Sequence, residues 1–196
     1  MRHQASMELF DYWAKLSGDQ AAPLRTQIDP VVLRRVLPHL FIITADETED
    51  LVFRLAGTRV CDLFGGELRG MPFTKVWSGT EAARVEDICQ RAIGEETPFR
   101  LDVLSEEATN QKRFEMLLLP LRPATGSSDR LLGSLVPQSP AAVHLAPAIA
   151  GLVLEACSSL DKTGAGTNLD NPASPLRGSG LRRLLGLASF GSSRTV

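Results

Sequence analysis

Leu9, Phe10, Trp13 and Leu16 recur at helical spacing and predict a short helix stopped near Gly18. Residues 23–28 read as loop. Asp29 before Pro30 is a favourable N-cap with proline at the first helical position, so PVVLRRVL is expected to form a second helix ended by Pro38. The period then shortens to two. Leu51, Phe53 and Leu55 alternate with Val52, Arg54 and Ala56, and Phe99, Leu101 and Val103 alternate with polar neighbours. Strands are expected at 39–45, 51–56, 98–104, 112–121 and 130–136. The acids Asp46, Glu47, Glu49 and Asp50 mark a turn, and the connections at 106–111 and 123–129 are short and polar. Such connections suit antiparallel hairpins rather than crossovers. Between the second and third strands, Val85, Ile88, Cys89, Ala92 and Ile93 form the buried stripe of a long helix at 79–93. Ser78 and Glu81 fit a capping box at its start, and Gly94 is a stop.

The segment FRLAGTRVCDLFGGELRGMPF, residues 53–73, joins the second strand to that helix. Gly57, Gly65, Gly66 and Gly70 match neither G-x-G-x-x-G nor G-x-x-x-x-G-K-[ST], and no lysine lies among them. A phosphate loop also needs a strand-to-helix crossover, which antiparallel strands do not supply. The residues read better as architecture. Val60, Leu63 and Phe64 face the sheet from a short helical turn, and Gly65-Gly66 permits a reversal. Leu68 turns inward, and Phe73, Val76 and Trp77 close a last turn. Small helices therefore form a connector across the sheet.

Apolar residues make up 43% of the 196-residue chain, enough for one core. The net charge of -2 lacks the basic footprint of a nucleic-acid binder. The charge is uneven: no acid follows Asp170, whereas Arg177, Arg182, Arg183 and Arg194 do. Glu8, Asp11 and Lys15 interrupt the N-terminal segment, so it does not read as a signal peptide, and no run reaches the about 20 apolar residues of a membrane span. A cytoplasmic protein is expected. Cys61, Cys89 and Cys157 are odd in number and far apart, which fits buried thiols rather than a disulfide frame or metal site. No G-x-S-x-G occurs, and the acid pairs Glu47/Glu49 and Glu106/Glu107 suit solvated turns, so no catalytic residue is named.

Several separated pieces then agree with one family. Ala56 follows a strand, LFG stands at 63–65 and ELRG at 67–70, in the order found in PAS domains. Tyr12-Trp13, Pro23, Arg25, Ile28, Asp29-Pro30, the run 37–42, the run 117–121, Asp129-Arg130 and Leu132-Gly133 extend the likeness over about residues 9–137. In these pieces the chain resembles a PAS subfamily common in alphaproteobacteria. The usual asparagine before the alanine is replaced by Leu55. The resemblance implies an α+β fold: a PAS-like five-stranded antiparallel sheet with a helical connector and N-terminal flanking helices. It also implies a sensory or regulatory protein acting through protein–protein interaction, not an enzyme.

On that reading, residues 1–38 are flanking helices, 39–137 the PAS-like domain, 138–157 an apolar extension and 158–196 a disordered tail with a basic, apolar segment. A ligand would lie between sheet and connector, walled by Leu55, Leu63, Phe64, Phe73, Trp77, Ile88, Phe114 and Leu118. Arg54, Thr58 and Cys61 are its candidate polar groups. Arg59, Glu67 and Arg69 are expected to pin the connector by salt bridges, with an anion-binding role for Arg59 or Arg69 as the alternative. No cofactor is expected. His3, His39 and His144 lie outside the connector and long helix, against haem, and the Cys61 surroundings do not match a flavin photosensor. Leu9, Trp13 and Leu16 either close a homodimer or cap their own sheet. In the tail, Arg182, Arg183, Leu184 and Leu185 offer a peripheral membrane contact or a helix for a partner groove. The expected partners are signalling proteins, with a small molecule as the gate.

Overall fold

The computed structural model describes residues 3–45, 51–107, 111–126, 128–139 and 148–169. Helix α1 (Gln4–Ser17) leads through turns to strands β1 (Leu40–Ala45) and β2 (Leu51–Ala56). Helix α2 (Thr58–Phe64) and a 3-10 turn at Phe73–Val76 form the connector to α3 (Ala82–Gly94). Strands β3 (Phe99–Ser105), β4 (Arg113–Leu121) and β5 (Arg130–Pro137) follow, then β6 (Leu152–Leu160) and β7 (Gly166–Asn168). All pair antiparallel in one sheet of order β2-β1-β5-β4-β3-β6-β7.

The first five strands and the long helix lie close to their expected positions. The sheet itself has seven strands rather than five. β6 and β7 occupy residues read as the end of an apolar extension and the start of a disordered tail. A bulge hides β6: Asp102 pairs with Ala156 but Val103 with Leu154, so Glu155 is an extra residue that breaks the period of two. The polar run after it is a hairpin turn. The Asp161 carboxylate accepts from the Thr163 and Ala165 amides and the Thr163 hydroxyl. Those bonds, the hydroxyl's first, lower its pKa. Lys162 donates to the Gly18 and Gln20 carbonyls, tying this hairpin to the end of α1.

The expected second helix is absent. Residues 30–36 form successive turns, followed by a 3-10 turn at Leu37–His39. Pro30 and Pro38 enclose only seven residues, too few to repay helix nucleation, and Val31-Val32 is β-branched. The turns still bury Leu33 and Val36. The capping box is also absent. Ser78 caps through its carbonyl, which accepts from the Glu81 and Ala82 amides, while its hydroxyl lies beside Thr80.

Strand alternation splits the core into two layers. From β4, Phe114, Met116 and Leu118 point toward the connector and α3. Leu117, Leu119 and Leu121 point the other way, toward α1. Pro120 is tolerated in this central strand because β3 pairs with β4 only as far as Leu118.

Candidate functional site

The connector face carries an aromatic cluster. Phe41 from β1 and Phe53 from β2 meet Phe73, which in turn meets Trp77, with ring centroids 5.4–5.9 Å apart. Three of these contacts are edge-on, the favoured geometry for such rings. Gly133 in β5 makes room: a Cβ there would lie 2.1 Å from the Phe41 ring. The expected wall residues Phe73, Trp77, Ile88, Phe114 and Leu118 are buried together in this core, with Leu63, Phe64 and Cys61 half-buried against it. Leu55 does not join them. A bulge at Arg54, between the pairs Ile42–Leu55 and Ile43–Phe53, turns Leu55 off the inner face and leaves it 49% exposed. Thr58 and Arg54 are exposed too.

The polar group that does reach this core is Trp77. Its side chain is 5% exposed, and its indole N–H has no hydrogen-bond partner among the described residues. Sequence reasoning placed Trp77 on the wall but sought the polar contacts in Arg54, Thr58 and Cys61. The Cys61 thiol instead lies 3.8 Å from the Ala56 carbonyl and 4.0 Å from the Glu67 carboxylate. Glu67 accepts the Arg69 amide at 3.0 Å, closing the local turn. The expected salt bridges of Arg59 and Arg69 do not form among the described residues.

Residues beyond 137 complete this core layer, and the sequence reading missed them. Ile149, Leu152, Leu154 and Cys157 enter the same core. Their backbone is latched to the connector: Ile149 donates to the Leu63 carbonyl and Ser78 donates to the Leu152 carbonyl, each at 2.8 Å. Alternating Leu152 and Leu154 was the available signal. Cys89 and Cys157 are both buried in this layer. Burial, with the Cys157 thiol adding to it, pushes the Cys89 thiol far up, so it stays protonated and inert.

The opposite face is a different environment. Leu9 and Trp13 are fully buried against the sheet, and the Trp13 indole donates to the Pro120 carbonyl at 2.8 Å. Leu9 and Trp13 therefore cap their own sheet, and Leu16 is half-buried. Polar groups share this layer. Glu115 is fully buried and accepts the His3 amide at 3.4 Å, beside the N-terminus of α1. A carboxylate there complements the helix dipole. Its cross-strand neighbour Asp102 pairs with Arg100 at 3.1 Å. His39 has its pKa lowered by burial, partly offset by a hydrogen bond to the Leu135 main chain and reinforced by Arg59 and His3.

Among the described residues no group of three or more His, Cys, Asp or Glu is placed to hold a metal ion. No described helix is long and apolar enough to cross a membrane. The acidic turn at 46–50, His144 and the tail residues Arg182, Arg183, Leu184 and Leu185 lie outside the described residues. A family model described as PAS domain matches residues 1–136. No curated protein and no solved structure matches the chain.

Proposed function

The chain belongs to the PAS domain family, a family of sensory and regulatory modules rather than enzymes, and from that premise we propose that it is a small-molecule-gated regulator of signalling proteins. The observation that carries the reading is the Trp77 indole N–H, unpartnered among the described residues, inside an aromatic core. A buried donor without an acceptor costs stability, and a ligand that brings an acceptor recovers it. Phe73 beside it, and Phe41 and Phe53 beyond, offer apolar and π contacts to the rest of such a ligand. The signal leaves through the sheet. Each of β4 and β5 carries residues of both layers, so a shift of Phe114 or Leu118 against a ligand moves Leu117 and Leu119 under α1. The motif likeness to alphaproteobacterial single-domain members supports action on partner proteins.

Native mass spectrometry of the full chain, purified gently from its own cells, tests the gate. A retained small molecule is expected, held about tenfold more weakly by Trp77→Phe, which removes one hydrogen bond. Crosslinking in the same cells tests the output, and signalling proteins are expected among the products. Absence of both a retained compound and a crosslinked signalling protein would overturn the reading.

A further inference from the structure

Val31 and Val32 are 66% and 55% exposed, yet the turn that displays them is held firmly. Leu33 and Val36 anchor it in the core beneath α1. The Tyr12 hydroxyl donates to the Gln27 carbonyl at 3.3 Å and accepts the Asp29 amide at 2.7 Å. The Asp29 carboxylate then accepts the Val31 amide at 2.8 Å. The two valines are therefore presented in a fixed position, not carried by a loose loop. Together with Glu8, Arg34 and Arg35 they line a depression of about 270 Å³. Among the described residues none of these three charged side chains forms an ion pair.

We propose that this depression is the docking site for a short acidic segment of a partner protein, with an apolar side chain between Val31 and Val32 and carboxylates on Arg34 and Arg35. The inference rests on the regulatory reading above and names the surface that reading lacks. Two guanidiniums, unpaired among the described residues, and one carboxylate line the depression, so its lining has an excess of positive charge that acidic side chains answer. Arginine is enriched at protein interfaces relative to the rest of the surface. A second copy docked through the same face fits less well, because that face brings the same two arginines. An anionic membrane fits less well, because two arginines fall short of the roughly four or more clustered basic residues that hold a protein to such a surface.

The test is selection of a random linear peptide library on the immobilised full chain, followed by anisotropy titration of the enriched peptides. The enriched peptides are expected to carry Asp or Glu flanking an apolar residue. Arg34→Glu/Arg35→Glu is expected to weaken them about tenfold or more, and Arg34→Lys/Arg35→Lys to retain part of the affinity. Both side chains are exposed, so an unchanged thermal melt of the double variant shows that the loss is local. Peptides without acidic bias, or binding indifferent to the charge reversal, would overturn the proposal. So would a dimer that Val32→Asp dissociates, or sedimentation with phosphatidylserine vesicles that the charge reversal abolishes. If crosslinked signalling proteins persist in the charge-reversed variant, the patch is wrong while the regulatory reading stands. If acidic peptides bind as described but no signalling protein is ever crosslinked and no compound retained, the regulatory reading fails instead.

Discussion

Two tryptophans stand on opposite faces of one sheet. Trp13 donates its indole proton to the Pro120 carbonyl, whereas Trp77, also buried, donates to nothing among the described residues. The faces around them differ in the same sense. The α1 face anchors its helix with directional bonds: the Trp13 indole to Pro120, and the His3 amide to Glu115. The connector face is a cluster of rings and aliphatic groups held mainly by burial and contact geometry. Directional bonds fix a single arrangement, and apolar contacts tolerate repacking. The α1 face is thus held by more directional side-chain bonds than the connector face, and the proposed ligand gate rests on that difference.

The sharpest way to break this contrast is to empty the connector core. Phe73→Ala removes the ring that touches Phe41, Phe53 and Trp77. It should cost about 3–5 kcal/mol in a urea melt. On the opposite face, Glu115→Ala removes a buried acceptor from the start of α1. A loss of about 2 kcal/mol is expected, with Glu115→Gln recovering part of it. Similar losses from these two substitutions would erase the distinction between packing and directional bonding.

The tryptophans offer a matched pair. Trp13→Phe leaves the Pro120 carbonyl without its donor and should cost about 2 kcal/mol. Trp77→Phe removes a similar volume together with an unsatisfied donor, so about 1 kcal/mol or less is expected. Equal costs would mean that Trp77 is satisfied in solution.

The smallest effect is a pH dependence. Burial lowers the His39 pKa below its ordinary 6.5, so the unfolded chain takes up this proton more readily than the folded one. Stability should fall as pH drops from 6.5 toward the lower folded value, then level off for this group. His39→Gln should flatten that part of the curve in melts measured across the range.

How much of this was legible in the sequence differs between the two faces. Alternation in β3 and the stripe Val85, Ile88, Cys89 and Ala92 located the connector layer well, because regular periods report regular burial. The bulges at Arg54 and Glu155 were not legible. One extra residue shifts the alternation, which misplaced Leu55 on the inner wall and hid β6. The turns at 30–36 read as helix because Asp29 before Pro30 suits the start of a helix and the start of a turn alike. The unpaired state of Trp77 was beyond reach, since a missing bond depends on every neighbour brought by the fold.

The central claim is that Trp77 holds a proton for an incoming acceptor while Trp13 does not. The chain contains two tryptophans, so a ¹H–¹⁵N spectrum of the full protein resolves one indole signal from each. The spectrum should be followed while small-molecule fractions of extract from the protein's own cells are added. The account predicts that one fraction moves the Trp77 indole proton downfield, as a hydrogen bond forms, and leaves Trp13 in place. Displacement of Trp13 alone, or no displacement of Trp77 by any fraction, would contradict it.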